Sequence, residues 1–399
     1  MTALALALFL TGCGGGASVA TAPATGQATP PAATGTLLPP ATSVAPAKIP
    51  EAGATLGLLL PLSGNNAQLG LALDRAAEMA LFDAADTRTA LVVRDTETPQ
   101  GPDGAAQAAL DEGANILLGP IFADHARQVG PVAANGHVAD VAFTTDKSVA
   151  GNGLYVMGIL PGLQIDRIVD FASQQGKRSF AALLPDNAYG HLVADALNAA
   201  AARNHVVVSA IEYYPAAAME FSGPVEKLAS DPPFDALLIP MGGFQLRSIL
   251  PLLGFYKIDT TQVKLLGSAL WDDPSLIGDH SLDGAWYAAP ADDSWDNFAQ
   301  RYRAAYATDP PKLAGLAYDA VTMASAMAKA GDFSPQALTR PDGFAGVDGV
   351  FRFGVDGLVQ RNLAVYEFGP KGATVKDTAA KSFGPVRPHR VSVPNLVEQ

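Results

Sequence analysis

Continuous apolar runs alternate with amphipathic stretches from Thr55 onward. Strand-like runs occupy 55–62, 90–96, 115–121, 138–144, 180–186, 206–214, 236–243 and 264–271. Consecutive apolar positions are typical of strands that are covered on both faces. Between the runs lie helical stretches, and in 68–85 one apolar stripe contains Leu69, Leu73, Ala76, Ala77, Ala80 and Ala84. This order predicts an α/β fold of doubly wound parallel sheets, and a length of 399 residues is enough for two lobes with a cleft between them.

Several predicted strands end in a turn of Pro, Gly, Ser, Thr, Asn or Asp that leads into a helix. These turns are 61–66, 118–124, 143–148, 184–190 and 240–245. Ligands of parallel sheets bind beyond the carboxyl ends of the strands, where helix N-termini present free N–H groups. Ser63, Thr144 and Thr145 are therefore candidates for a ligand cleft. Each of them taken alone also fits the role of an ordinary helix cap.

The first thirteen residues have the pattern of a bacterial lipoprotein signal. An apolar run ends in Leu10, Thr11 and Gly12, followed by Cys13, the one cysteine of the chain. This order resembles a lipobox, in which the thiol receives a diacylglycerol. No Lys or Arg precedes the run, so we expect that the natural start lies upstream or that the sequence was trimmed. The alternative is that Cys13 is an inert apolar residue in a frayed terminus.

Residues 14–52 are rich in Ala, Thr, Pro and Gly and carry no charge before Lys48. Such a segment cannot bury enough apolar surface to order itself, so we expect a disordered tether. Coil statistics give it a typical reach of about 35 Å, and polyproline extension a limit of about 120 Å.

Composition and motifs exclude several classes of function. The net charge of −13 argues against nucleic acid as a partner. A single cysteine excludes a disulfide framework, and the six histidines are scattered without a ligand-like pair. The sequence contains no Gly-x-Ser-x-Gly elbow, His-Glu-x-x-His or Walker loop, so we expect neither an enzyme nor a cofactor. Asp342, Asp348 and Asp356 are better interpreted as turn residues than as a calcium site.

Four stretches resemble type I periplasmic binding proteins of the branched-chain amino-acid family. They are TLGLLLPLSGNNAQLGLALDRAAEMAL, ILLGPIFADHARQVGPVA, LLPDNAYGHLVADAL and FSGPVEKLASDPPFDALLIP. Within that family, LLLPLSG and FTTDKSVAGNGLYVMGILP look most similar to the penicillin-binding-protein activator lipoproteins. The resemblance implies a binding domain at 53–369, followed by a C-terminal tail at 370–399. It implies a first lobe at about 53–159 and 289–350, and a second at about 160–288 and 351–369.

The resemblance also implies where a ligand would bind. In the transport members, hydroxyls from two turns of lobe one hold the ligand carboxylate. Thr144 and Thr145 match one of these turns, whereas Ala123 stands in the other and offers no hydroxyl. The acid that binds the ligand ammonium falls near the apolar Ala269 and Leu270, and Asp272 could substitute for it.

Three aromatic residues are expected either to line the cleft or to pack between the lobes: Tyr189, Phe244 and Trp271. The resemblance implies a non-catalytic lipoprotein of the periplasm, expected at the outer membrane, which binds and activates a peptidoglycan synthase. The alternative is the substrate-binding lipoprotein of an ABC importer for amino acids or related small molecules.

The lipobox generates the first prediction. We expect Cys13→Ser to release the protein from the membrane fraction, because the serine hydroxyl cannot receive the lipid. Fractionation of cell envelopes and the intact mass of the purified protein measure this. Gly14 is not the aspartate that retains lipoproteins at the inner membrane, so the wild type should sediment with outer membranes. Equal partitioning of both proteins, without acyl mass, would exclude the anchor.

Overall fold

The computed structural model describes residues 53–383, so Cys13, the predicted tether and residues 384–399 lie outside the described residues. The first half contains β1 (Thr55–Leu60), α1 (Ala67–Ala84), β2 (Ala90–Asp95), α2 (Gly101–Asp111), β3 (Ala114–Leu118), α3 (Ala123–Asn135), β4 (Ala139–Ala142), β5 (Leu154–Val156), α4 (Pro161–Gln174), β6 (Ser179–Asp186) and α5 (Ala188–Asn204).

The second half contains β7 (Val207–Pro215), α6 (Ser222–Ser230), β8 (Ala236–Leu238), α7 (Gly243–Phe255), β9 (Lys264–Gly267), β10 (Trp286–Ala289), α8 (Asp292–Tyr306), α9 (Ala314–Ala330), α10 (Pro335–Leu338), β11 (Phe351–Phe353), β12 (Val359–Arg361), β13 (Ala364–Gly369) and β14 (Gly372–Asp377). No described helix is both long enough and apolar enough to span a bilayer.

Lobe one is built on a parallel sheet of five strands in the order β2-β1-β3-β4-β5. Leu56, Leu58 and Leu60 of β1 join the core that contains α1 and α9, whereas Leu59 joins the core that contains α2 and α3. Successive side chains of a strand point to opposite faces. The continuous apolar run of β1 is therefore explained by two buried faces, as predicted.

Lobe two is built on a sheet of seven strands in the order β14-β13-β10-β9-β8-β6-β7. Strands β6 to β10 are parallel, and β13 and β14 are antiparallel additions at one edge. Ala181 and Leu183 of β6 face one core, and Phe180, Ala182 and Leu184 face the other. The fold class is therefore the expected one, two parallel-sheet lobes of mixed α/β structure.

The chain passes between the lobes after β5, after β10 and after β12. The expected third passage at 350–351 differs from the structure, because Phe351, Phe353 and Val359 of the β11–β12 hairpin are buried in the core of lobe one. The expected tail from 370 differs as well, since β14 pairs with β13 and extends the second sheet. These side-chain burials and strand pairings are tertiary contacts that the local pattern does not contain.

A buried ion pair holds the hairpin to lobe one. An Arg361 Nη1–H donates to Asp319 Oδ2 at 3.1 Å, and both side chains are at most 1% exposed. Asp319 Oδ1 also accepts the Val347 N–H at 2.6 Å, so α9, the loop before β11 and the end of β12 meet at one carboxylate. Asp342, Asp348 and Asp356 all lie in turns, which confirms the turn interpretation.

Asp140 is a second buried acid, and it lies in β4 between β3 and β5. Its side chain is fully buried, and neither carboxyl oxygen has a hydrogen-bond partner within the described residues. Burial raises the pKa of Asp140 well above its ordinary value. The folded protein therefore holds this carboxyl as the neutral acid to a higher pH than the unfolded chain does.

This carboxyl generates a prediction about stability and pH. Because its pKa is raised in the folded state, its favourable contribution is complete below the unfolded value of about 3.9 and is lost as the pH rises toward the folded value. We expect Asp140→Asn to remove that loss, so that its advantage over the wild type grows with pH by up to about 1.4 kcal/mol per unit. Urea unfolding between pH 4 and pH 8 measures it. Asp195→Asn, at an exposed position, is the control and should follow the wild type; parallel curves for Asp140→Asn would contradict the assignment.

Candidate ligand-binding cleft

The turns that follow β1, β3 and β4 lie together at the carboxyl edge of the sheet in lobe one. They contain four of the predicted site residues: Ser63, Ala123, Thr144 and Thr145. The corresponding edge of lobe two contains the turns after β6, β8 and β9, near Tyr189, Phe244 and Trp271. The parallel order of the strands therefore brings the predicted residues to the two edges that border a cleft.

Ser63 is exposed and is held by an acid of its own lobe. Asp95 Oδ1 accepts the Leu62 N–H at 2.9 Å and the Glu97 N–H at 3.0 Å, and the Ser63 hydroxyl also hydrogen-bonds to this carboxylate. Burial by itself raises the pKa of Asp95, but these hydrogen bonds outweigh burial and hold the pKa below its ordinary value. Asp95 is therefore an ionised anchor for the turn after β1.

The turn after β4 holds Thr144 and Thr145 in different environments. Thr144 is buried, and its hydroxyl oxygen accepts the Asp146 N–H at 3.1 Å. Thr145 is exposed at the edge of the lobe. Of the two predicted hydroxyls, that of Thr145 is the accessible one, and that of Thr144 shapes the turn.

Arg127 joins this turn to the start of α3. Its guanidinium donates to Asp124 Oδ1 at 2.6 Å and to Asp146 Oδ2 at 2.6 Å. Hydrogen bonds from Ser148, together with Arg127, hold the pKa of Asp146 below its ordinary value against the effect of burial. Ala123 is the first residue of α3, and no side chain caps this helix. The arginine therefore fixes the uncapped N-terminus of α3 beside the turn that contains Thr145.

Lobe two contributes apolar surface to its edge. Phe244, in the first turn of α7, is 56% exposed, and Leu270 is 50% exposed. Tyr189 is half-buried and donates its hydroxyl to the Pro240 carbonyl oxygen at 2.9 Å, so it links the turn after β6 to the turn after β8. The Phe244 side chain is accessible to a ligand, whereas the Tyr189 hydroxyl is already hydrogen-bonded within lobe two.

Trp271 differs from both of its expected roles, a wall of the cleft or packing between the lobes. It is fully buried in lobe two, and its Nε1–H donates to the Met241 carbonyl oxygen at 2.7 Å. The indole lies on Gly267, where a Cβ atom would come within 2.1 Å of a ring carbon. The predicted strand at 264–271 ends at Gly267 because Ser268 caps a short 3₁₀ helix, Ala269–Trp271, which turns the indole into the core.

Asp272 meets a cation from the other lobe. Its Oδ2 lies 2.6 Å from Nζ of Lys312, which belongs to the segment between α8 and α9. The same Nζ lies 4.6 Å from the centre of the Trp295 ring in α8. Neither Lys312 nor Trp295 is among the residues predicted from the sequence: Asp309-Pro310-Pro311-Lys312 has only the local signal of a turn, and Trp295 lies near the start of the preceding helix and not beside it along the chain.

Asp272, Trp295 and Lys312 border a cavity of about 80 Å³, which lies close to two of the passages between the lobes. Its lining comes from both lobes and from the passages: Ile159, Ala269, Asp272, Pro290, Ala291, Trp295, Lys312 and Asp348. No group of three or more His, Cys, Asp or Glu residues within 53–383 could hold a metal ion. Thr145 and the start of α3 lie at the edge of lobe one, and Phe244 and Leu270 lie at the edge of lobe two; none of them belongs to the lining of this cavity.

Comparison with known proteins agrees with this architecture. The family model "Periplasmic binding protein" matches residues 53–373. A putative branched-chain amino acid ABC transporter protein of Rhodospirillum rubrum is 21% identical and has a TM-score of 0.70, with 81% of this chain and 99% of that chain covered. A solute binding protein of Rhodopseudomonas palustris BisB5, in complex with 3,4-dihydroxy benzoic acid, is 16% identical with a TM-score of 0.59, covering 83% and 97%.

A curated relative, an uncharacterized protein of Rickettsia prowazekii (strain Madrid E), is 22% identical over 159 residues. The match covers 40% of this chain and 43% of that relative, so the chain spans less than half the length of the curated protein that it matches. The family model, in contrast, extends across both lobes. The chain therefore belongs to the periplasmic binding protein family, and its structural neighbours are type I members of the branched-chain amino-acid-binding group.

Proposed function

We propose that this chain is the solute-binding component of an ABC importer for a small organic acid that lacks an amino group. One observation carries the choice of ligand: Lys312 already neutralises Asp272, the acid nearest to the expected position of a ligand ammonium. A free α-amino acid would have to displace that lysine or leave its own ammonium without a charged partner in the cleft, and an unpaired charge is costly to desolvate.

The carboxylate of such a ligand has suitable donors at the edge of lobe one. The start of α3 is not capped by a side chain, and free N–H groups of a first helical turn attract anions. The exposed Thr145 adds a hydroxyl beside it. Because Arg127 ties Asp124 and Asp146 together, these donors are held in place before a ligand arrives. We therefore assign the carboxylate to lobe one.

The remainder of the ligand would contact lobe two. Phe244 and Leu270 present exposed apolar surface there, which suits an aromatic ring better than a polar chain. The dihydroxybenzoate complex of the Rhodopseudomonas palustris neighbour supports this choice, because its ligand is an aromatic acid without an amino group. The ligand class that we propose is thus a benzoate-like acid.

The proposal predicts a selective thermal shift. We expect benzoate or 3,4-dihydroxybenzoate at one hundred times its dissociation constant to stabilise the protein by about 2.7 kcal/mol, which raises the melting temperature by several degrees. Leucine, isoleucine and valine should leave it unchanged. Differential scanning fluorimetry of the full chain against both panels measures the difference. A robust shift with any free amino acid would contradict the proposed ligand class.

A matched pair of variants tests the binding surface. Phe244→Ala should weaken aromatic-acid binding about tenfold, because it removes an aromatic contact worth on the order of 1.5 kcal/mol. Phe255→Ala is the control: this side chain is 75% exposed at the other end of the same helix. Isothermal titration should give the control the wild-type affinity. Equal affinities for all three proteins would remove Phe244 from the site.

A second candidate function is the activation of a peptidoglycan synthase. Its support is the resemblance of two sequence stretches to activator lipoproteins, together with the length of the Ala/Pro/Thr/Gly segment at 14–52. A tether with an extended limit of about 120 Å would carry the folded lobes far from an anchoring membrane. An importer component needs less reach, because its transporter lies in the membrane.

Deletion of residues 17–47 distinguishes the two functions. An activator should lose its effect on cell-wall synthesis while it remains folded, whereas an importer component should retain most uptake. Incorporation of labelled cell-wall precursor and uptake of the labelled acid are measured at matched protein abundance. Unchanged cell-wall synthesis would count against activation, and affinity capture from envelopes should then recover importer subunits rather than a synthase.

A further inference from the structure

The pair of Lys312 with Asp272 joins residues that belong to different lobes. Asp272 follows the 3₁₀ helix that packs Trp271 into the core of lobe two, and Lys312 precedes α9, which lies in the core of lobe one. Nζ of the lysine lies 2.6 Å from the carboxylate and 4.6 Å from the Trp295 ring centre. A carboxylate beside an indole face is a combination that binds alkylammonium groups.

We propose that Asp272 and Trp295 form a primary-ammonium site between the lobes, and that the Lys312 side chain is its built-in ligand. The lysine thereby does in this chain what a bound amine would do: it neutralises an acid of lobe two while it rests on an aromatic ring of lobe one. Its presence favours the arrangement in which the two lobes meet at this contact, which we call closed, and excludes amines from this part of the cleft.

The site lies beside two of the passages between the lobes. Ile159 belongs to the passage before α4, and Pro290 and Ala291 to the passage before α8; all three line the same cavity as Asp272 and Lys312. A rotation of the lobes about these passages separates the carboxylate from the ammonium group by less than it separates residues at the mouth of the cleft, so the pair resists opening only while its short-range contact lasts. The lysine side chain is 51% exposed, and half-exposed ion pairs are weak. We therefore expect a shift of a few-fold in the ratio of closed to open molecules, and not an irreversible lock.

Charge reversal tests the connection between the lobes. Lys312→Glu and Asp272→Lys each place like charges opposite one another and should increase the radius of gyration in small-angle scattering of the full chain. The double variant restores opposite charges and should return most of the way to the wild type. The matched control is Lys376→Glu, because Lys376 and Glu367 form a pair of similar exposure, 40% and 30%, within lobe two. Single variants that scatter as the wild type does, or a double variant as open as the singles, would overturn the proposal.

Chemical rescue tests the chemistry of the site. Lys312→Ala should acquire a response to n-propylamine at about 100 mM, with a melting temperature raised by about 1–2 °C more than that of the wild type. The neutral analogue propan-1-ol should have no such effect, and adding Asp272→Asn to Lys312→Ala should abolish the response. Equal shifts in the wild type and the variant would overturn the assignment. Both experiments omit any cleft ligand, so a failure of aromatic-acid binding would not alter their result.

Discussion

Burial of both faces of two parallel sheets is the constraint on which the other features of this protein depend. Because the residues of β1 alternate between two cores, the strand must be apolar at consecutive positions, and helices must cover each side. Parallel strands also need crossover connections, so the strands of each parallel set end in turns at the same edge. The edge that carries the turns of the candidate site is thus a consequence of how the sheets are buried, and lobe two repeats the arrangement.

Two buried acids of lobe one, Asp319 and Asp140, differ in the partners that their carboxylates have. Asp319 is buried with Arg361 and the Val347 N–H, so its charge connects the β11–β12 hairpin to α9. Asp140 is buried without such a partner among the described residues and therefore favours its protonated form. Both acids lie in the same lobe, and only the first is compensated by a cation. Burial raises the pKa of both acids, and only at Asp319 does a neighbouring cation, Arg361, oppose that rise.

At the cleft edges, internal partners hold most of the polar groups that a ligand could use. Asp95 holds the turn of Ser63, the Asp146 N–H occupies the Thr144 hydroxyl, and Lys312 occupies Asp272. Among the predicted site residues, Thr145 and Phe244 are exposed without such a partner, and no side chain caps the start of α3. These features are the support for the proposed ligand, a small acid with an apolar body.

The sequence by itself determined the features that depend on neighbouring residues. The strand and helix periods, the turns at strand ends and the turn roles of Asp342, Asp348 and Asp356 follow from local pattern, because backbone preference and side-chain alternation act over a few positions. Tertiary structure decided the rest. The burial of Trp271 on Gly267, the assignment of the β11–β12 hairpin to lobe one and the meeting of Asp272 with Lys312 join residues that no local period relates. Their positions depend on packing within each lobe and, for Asp272 and Lys312, between the lobes. The strand ends at the cleft edges were therefore predictable, and the side-chain contacts made there were not.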